Sequence, residues 1–202
     1  GFARRGLRNL ALHYLVHSGE AEDVRRAVAQ YEAADNMTDR LSALRAVVWC
    51  GEPAARDEAS RLLEDFLARF RDEALVVDQW FATQALATAP DTLEHVRALT
   101  RHEAFDARNP NKIRALVGAF CGQNPVCFHA ADGSGYRFLA DWVIALDGSN
   151  PQIAARLLTP LTRWKRHDAQ RGAAMRAALQ RVLDEGARSP DVYEVVSKSL
   201  EG

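Results

Sequence analysis

Apolar residues recur at intervals of three and four along nearly the whole chain, the period of an amphipathic helix, and no segment sustains the alternation of a half-buried strand. The spacing predicts a first helix in which Leu7, Leu10, Ala11, Tyr14 and Leu15 share a face, ended at Gly19. Val24, Val28 and Tyr31 mark a second helix, and Leu41, Leu44, Val47 and Val48 a third, stopped by Gly51. A fourth begins near Pro53 and carries Leu62, Leu63, Phe66, Leu67 and Phe70; a fifth covers residues 74–87 and a sixth residues 91–100.

Helix starts in the second half are punctuated by polar residue–proline pairs: Asn109-Pro110, Asn124-Pro125, Asn150-Pro151 and Ser189-Pro190. The Asn or Ser oxygen satisfies an orphan amide of the first turn, and proline at the first helical position has no amide to orphan. Asp132-Gly133-Ser134-Gly135 breaks the chain before a helix holding Tyr136, Phe138, Leu139, Trp142, Val143 and Leu146. Pro160 falls inside the helical pattern that follows Pro151, so that helix is expected to end or kink there.

Helix pairs start near Leu7, Asp39, Ala74, Pro110, Pro151 and Pro190. That spacing of roughly 30 to 40 residues is the range of helical-repeat proteins. The expectation is an all-α fold, a solenoid-like stack of helix pairs forming an armadillo/HEAT-like superhelix, with residues 1–202 as a single helical domain. No sequence consensus links the repeats, and a compact bundle is the competing arrangement.

Composition narrows the function classes. The chain has 202 residues, 48% of them hydrophobic and 26% charged, and a net charge of −1, so its overall balance points to neither nucleic acid nor acidic lipid. A chain of this size buries roughly 70% of its unfolded-state surface and needs no disulfide or metal to fold. No apolar run approaches the ~20 residues that span a bilayer, and no leader pattern opens the chain. Cys50, Cys121 and Cys127 lack Cys-x-x-Cys spacing and read as buried thiols of a reducing, cytoplasmic location. An opening of Gly1-Phe2-Ala3 in place of Met points to a piece of something longer.

A catalytic constellation is not evident. His13 and His17 stand four apart, the ligand spacing of a helical zinc site, but Tyr14 occupies the position of the general base in a His-Glu-x-x-His motif, so two half-buried histidines are the better reading. Nucleophile elbows and phosphate-binding glycine patterns are absent. Cys127 and His129 share a short apolar stretch with Val126 and Phe128, whereas Cys–His pairs are normally assembled across a fold. The stretch Arg163-Trp164-Lys165-Arg166-His167, with Arg156, Arg171, Arg176 and Arg181, makes one end basic. A solvated helix face balanced by Asp168, Asp184 and Glu185 accounts for it without nucleic acid.

The order of several strings is more specific than any one of them. Ala34-Asp35-Asn36-Met37-Thr38-Asp39, Val77-Asp78-Gln79-Trp80-Phe81, Asn109-Pro110-Asn111-Lys112-Ile113-Arg114 and Gly118-Ala119-Phe120 come first. They are followed by Phe128-His129-Ala130, Asp132-Gly133-Ser134-Gly135-Tyr136, Asn150-Pro151-Gln152, Arg156-Leu157, Pro160-Leu161 and Lys165-Arg166. In this order they resemble the C-terminal helical domain of bacterial aminopeptidase N, the alanyl-aminopeptidase branch of the zinc metallopeptidases. The likeness covers nearly the whole chain and weakens only around residues 54–71 and 184–188.

The resemblance implies a parent enzyme that removes N-terminal residues from peptides with broad specificity. Its zinc, general base and amine-binding carboxylates belong to an earlier catalytic domain of the same polypeptide. This chain is expected to supply the later part of the helical domain, up to the natural C-terminus, which caps the catalytic domain and encloses a cavity for short peptides. Alone it is expected to be inactive and to hold no metal. Arg114, Gln152 and Arg156 match positions that in the family lie towards the cavity and the leaving-group side; alternatively, each bonds a neighbouring loop or carboxylate. Two other classes stay open: a free-standing HEAT-like protein-interaction scaffold, and a nucleic-acid module using residues 163–181.

Overall fold

Residues 2–186 and 189–201 are described by the computed structural model, and every regular element among them is helical. Gly1, at the opening of the chain, lies outside the described residues. The helices divide into two compact units, Gly1–Phe105 and Asp106–Gly202.

The first unit holds α1 (Phe2–His17), α2 (Ala21–Ala33), α3 (Met37–Trp49), α4 (Pro53–Phe70), α5 (Ala74–Ala85) and α6 (Thr92–Leu99). Gly19 and Gly51 end α1 and α3 in left-handed backbone, at φ +80° and +75°, where a side chain would be strained. Helix pairs pack in sequence, α2 on α3, α3 on α4, α4 on α5 and α5 on α6, with Leu44, Leu62, Phe66 and Phe81 fully buried between them. Polar tips of aromatic residues stitch one pair to the next. Tyr31 Oη donates to Asp65 at 2.8 Å, Trp49 Nε1 to the Thr83 carbonyl at 2.7 Å and Trp80 Nε1 to the Leu63 carbonyl at 2.9 Å. A large ring fills the gap between helices, while its one donor satisfies a backbone or carboxylate oxygen.

The face that α1 buries is not its apolar stripe. The buried positions are Asn9, Leu12 and Val16, whereas Leu7, Leu10 and Tyr14 are exposed, at 69%, 54% and 74%. The cause is Asp39 at the start of α3. Its carboxylate accepts from Asn9 Nδ2 at 3.0 Å and Asn36 Nδ2 at 2.9 Å and pairs with Arg8 at 2.6 Å. Gln30 of α2 donates to Asn9 Oδ1 and to the Asp39 carbonyl, so three helices meet on one buried acid. This network turns the Asn9 face of α1 inward. The leftover apolar face, with His13, His17, Trp49 and Leu86, borders an open groove; His13 lies against Trp49 and 3.3 Å from the Ser42 hydroxyl.

The second unit holds α7 (Pro110–Ile113), a π-helical turn (Arg114–Gly118), α8 (Ala119–Gln123), α9 (Pro125–Phe128), α10 (Ser134–Asp147), α11 (Pro151–Leu157), a 3-10 segment (Leu161–Arg166), α12 (Ala169–Glu185) and α13 (Pro190–Glu201). All four polar residue–proline starts cap as expected: Asn109 accepts from the Asn111 amide, Asn124 from Cys127, Asn150 from Ile153 and Ser189 from Val192. Pro160 ends the α-helical run, and the chain tightens there into the 3-10 segment. Phe120 packs edge-on against Phe128 and Phe138, and Phe128 against Tyr136, forming the centre of the core. Asp147, buried at the end of α10, accepts from the amide and hydroxyl of Ser189 and so fixes the start of α13. No helix of the described residues is long and apolar enough to cross a membrane.

Asp39 sets the acid sensitivity of the first unit. Burial alone would raise its pKa, but hydrogen bonds from Asn36, Asn9 and Arg8 and the Arg8 charge outweigh that and hold it at about 2, against an ordinary 3.8. A depressed carboxylate stabilises the fold above its ordinary value and loses that contribution as pH falls from there through about 2. The lost contribution is on the order of 2 kcal/mol. Asp39→Ala, which strands Arg8, Asn9 and Asn36, should cost about 2–4 kcal/mol in urea unfolding at neutral pH and flatten the acid limb. The uncovered α1 face should make the isolated chain associate with rising concentration in sedimentation velocity, and Leu10→Lys with Tyr14→Lys should abolish the association.

Candidate functional site

A cavity of about 650 Å³ opens in the second unit, walled by the π-helical turn, α8, α11 and the 3-10 segment. That volume lies in the range of small-ligand sites. Its lining is chemically one-sided. Arg114, Arg156, Arg163 and Arg166 reach it together with His129 and His167, and among the described residues no Asp or Glu does. Apolar surface comes from Ile153, Leu157, Cys121 and Pro160.

Local sequence explains how each cation arrives. Asn109 and Pro110 start the helix that carries Arg114, and the backbone then widens into a π turn, a rare geometry that recurs at functional sites. Arg114 donates to Asn111 Oδ1 at 3.2 Å from the preceding turn. Asn150 and Pro151 start α11, where Ile153, Ala154 and Leu157 are buried and Arg156 is exposed towards the cavity. Arg163 and Arg166 come from the 3-10 segment, whose three-residue turn stacks positions i and i+3 on one side. The intervening Trp164 and Lys165 face another way: Trp164 Nε1 donates to the Ser199 carbonyl at 3.1 Å, and both residues line a groove beside α13.

The back of the cavity is held rigidly. A Cβ on Gly135, at the start of α10, would fall on the carbonyl oxygen of Phe128 and within 2.9 Å of its Cα. This approach brings the Tyr136 hydroxyl to 2.9 Å from His129 Nδ1, and the His129 ring lies 4.4 Å from that of His167. Arg171 Nε donates to the His129 carbonyl at 2.8 Å. Burial, and then the charges of His167 and Arg171, lower the pKa of His129 below the usual imidazole value. Burial likewise pushes the Cys121 thiol well up, so it lines the cavity as a neutral apolar group.

Of the residues singled out from the sequence, Arg114 and Arg156 meet at this cavity, while Gln152 is exposed on the first turn of α11 and is not among the lining residues. Two of the three acids expected to balance the basic surface do so, but at Arg171 and Arg181 and not at the arginines of the cavity. Asp168 pairs with Arg171 at 2.8 Å, Glu185 with Arg181 at 3.0 Å, and Asp184 accepts from Gln180 at 2.9 Å. Among the described residues, none of the four cavity arginines forms an ion pair. Arg163 and Arg166 were not singled out as cavity residues by sequence reasoning. The signal was their spacing of three just after Pro160, which fits a 3-10 turn better than an α-helical face. Among the described residues no three His, Cys, Asp or Glu side chains gather as a metal-ligand set.

Comparison with known proteins places the chain. The family described as "Domain of unknown function (DUF3458_C) ARM repeats" matches residues 1–201, in agreement with an all-α, solenoid-like stack of helix pairs. The chain is 44% identical over 199 residues to aminopeptidase N of Escherichia coli (strain K12) and 43% identical over 197 residues to aminopeptidase N of Caulobacter vibrioides. Each match takes in 98% of this chain but only 22% of the relative, so the chain spans about a fifth of their length. The likeness is to their C-terminal region. A solved structure of Legionella pneumophila aminopeptidase A, in complex with aspartic acid, matches with a TM-score of 0.90 at 35% identity over 98% of this chain and 23% of that one.

The Gly135 approach is testable. Gly135→Ala forces a methyl group against immovable backbone and should cost about 1–3 kcal/mol or more in urea unfolding. Gly148→Ala, where an added Cβ meets nothing within 4 Å, should stay within about 0.5 kcal/mol of the unsubstituted protein.

Proposed function

This chain belongs to the DUF3458_C ARM-repeat family, and on that premise we propose that it is one helical domain of a zinc-dependent, broad-specificity aminopeptidase located in the cytoplasm. It caps the catalytic domain of the same polypeptide, narrows access to short peptides and contributes cationic side chains to the cavity wall. The observation that carries the reading is the cavity itself: four arginines without a countercharge, in a chain 44% identical to part of an aminopeptidase. Zinc held by the catalytic domain would supply polarisation of the scissile carbonyl and activation of water. In this reading the part played by the present chain is binding and enclosure.

In this reading the cavity faces the leaving-group side of the scissile bond. An arginine guanidinium meets a carboxylate with two parallel N–H···O bonds, so Arg156, with Arg114 of the same lining, holds the C-terminal carboxylate of a short peptide. Ile153 and Leu157 give the adjacent side chain an apolar bed. Gln152, one turn before Arg156 on α11, contributes from the rim, where its amide can both donate to and accept from the peptide backbone. Packing of α11 through Ile153, Ala154 and Leu157 pre-orders these groups, which lowers the entropic cost of binding.

A second reading, a free-standing protein-interaction scaffold, draws support from the exposed apolar face of α1. The aminopeptidase reading accounts for that face as well, because nearly four-fifths of the relatives' length lies outside the matched region and supplies a cover for it.

In the full-length enzyme, Arg156→Ala should weaken kcat/KM for short peptides by about 1–3 kcal/mol of apparent transition-state binding, the range of a charge-assisted hydrogen bond. Single-residue chromogenic amides, which carry no peptide carboxylate, should lose much less. Equal losses on both substrate types would remove the carboxylate role.

A further inference from the structure

Two of the four cavity arginines have no task in the reading above. Arg163 and Arg166 are stacked three apart on the 3-10 segment and face the same cavity as Arg114 and Arg156. Elsewhere in this unit, the cations close to carboxylates are paired: Arg171 with Asp168, Arg181 with Asp141 and Glu185, and Lys198 with Glu194. Like charges one turn apart repel, and the cavity wall offers no carboxylate to relieve them. The arrangement therefore calls for an anion from outside, and for more negative charge than one carboxylate carries.

We propose that Arg163 and Arg166 form a second carboxylate position in this cavity, which takes the acidic side chain of an aspartate or glutamate at the leaving-group end of a short peptide. The inference rests on the reading that Arg156 and Arg114 hold that residue's C-terminal carboxylate. The two carboxylates of one acidic residue are separated by only a few bonds. Two sets of guanidinium groups line the cavity for such a pair, Arg114 and Arg156 from the π turn and α11, and Arg163 and Arg166 from the 3-10 segment. The apolar surface of Ile153, Leu157 and Pro160 suits the methylene groups between them. His129, hydrogen-bonded to Tyr136 and with its ring 4.4 Å from that of His167, is held in the same lining. An isosteric amide side chain would leave the two arginines without charge compensation, and that difference is the source of selectivity.

The full-length enzyme tests this with alanyl-glutamate and alanyl-glutamine, which differ only in side-chain charge. The unsubstituted enzyme should favour alanyl-glutamate in kcat/KM, and free glutamate should inhibit it at about tenfold lower concentration than glutamine. Arg163→Gln with Arg166→Gln should reduce the preference about tenfold, acting on KM, and Arg163→Lys with Arg166→Lys should keep most of it. Equal use of the two peptides, or a double Gln variant that weakens both to the same degree, overturns the second carboxylate position. Inorganic phosphate inhibiting as well as glutamate also overturns it, since any dianion would then serve. The product-inhibition comparison needs no variant and decides the matter even if the substituted enzymes fold poorly. Failure of the first reading looks different: Arg156→Ala would then leave kcat/KM for both peptides unchanged.

Discussion

Backbone touches backbone where Gly135 meets Phe128, and the cavity is built outward from that contact. With no side chain in the way, the first turn of α10 seats directly on the end of α9. Phe128 is thereby driven into the aromatic core beside Phe120 and Tyr136, and His129, the next residue, is left at the surface of that core facing His167. A second close approach, Gly172 of α12 to the Trp164 carbonyl at 3.1 Å from an added Cβ, seats the 3-10 segment in the same manner. The arginines on that segment are thus mounted on a platform whose position is set by sterics, which tolerate far less drift than side-chain packing.

Charge in this molecule is sorted by location, a fact hidden by a net charge of −1. In the first unit a buried carboxylate is surrounded by donors until its ionised form is the stable one, and three helices depend on it. In the second unit the opposite arrangement holds at the cavity, where four guanidinium groups converge and, among the described residues, none forms an ion pair. The first pattern stabilises a fold. The second leaves like charges side by side, and an anion in the proposed role would relieve them.

Much of this was legible in the sequence. Helices follow from the three–four period, and the Asn-Pro and Ser-Pro starts follow from capping chemistry that acts within four residues. Pro160 announced its break for the same local reason. The face that α1 buries was not legible, because Leu7, Leu10 and Tyr14 make the stronger apolar stripe, and only the distant Asp39, thirty residues on from Asn9, turns the helix the other way. Arg114 and Arg156 were visible through family likeness. Arg163 and Arg166 were hidden because the whole basic surface was read as one solvated helix face balanced by Asp168, Asp184 and Glu185, whereas Asp168 and Glu185 pair only with Arg171 and Arg181, its members on α12.

The π turn at Arg114–Gly118 has a consequence for the spacing of the whole α7–α8 stretch. Each residue of an α-helix advances the side chains by about 100° around the axis, so a turn that holds one extra residue shifts the register of everything beyond it. Ile113 upstream and Phe120 and Cys121 downstream are all buried in the seats this turn gives them. Straightening the turn with all its residues kept would rotate α8 by about a quarter of a circle from its present seat. Phe120 would swing out of the aromatic core and the cavity would lose one of its walls, so the winding of this stretch is as constrained as the identity of its side chains.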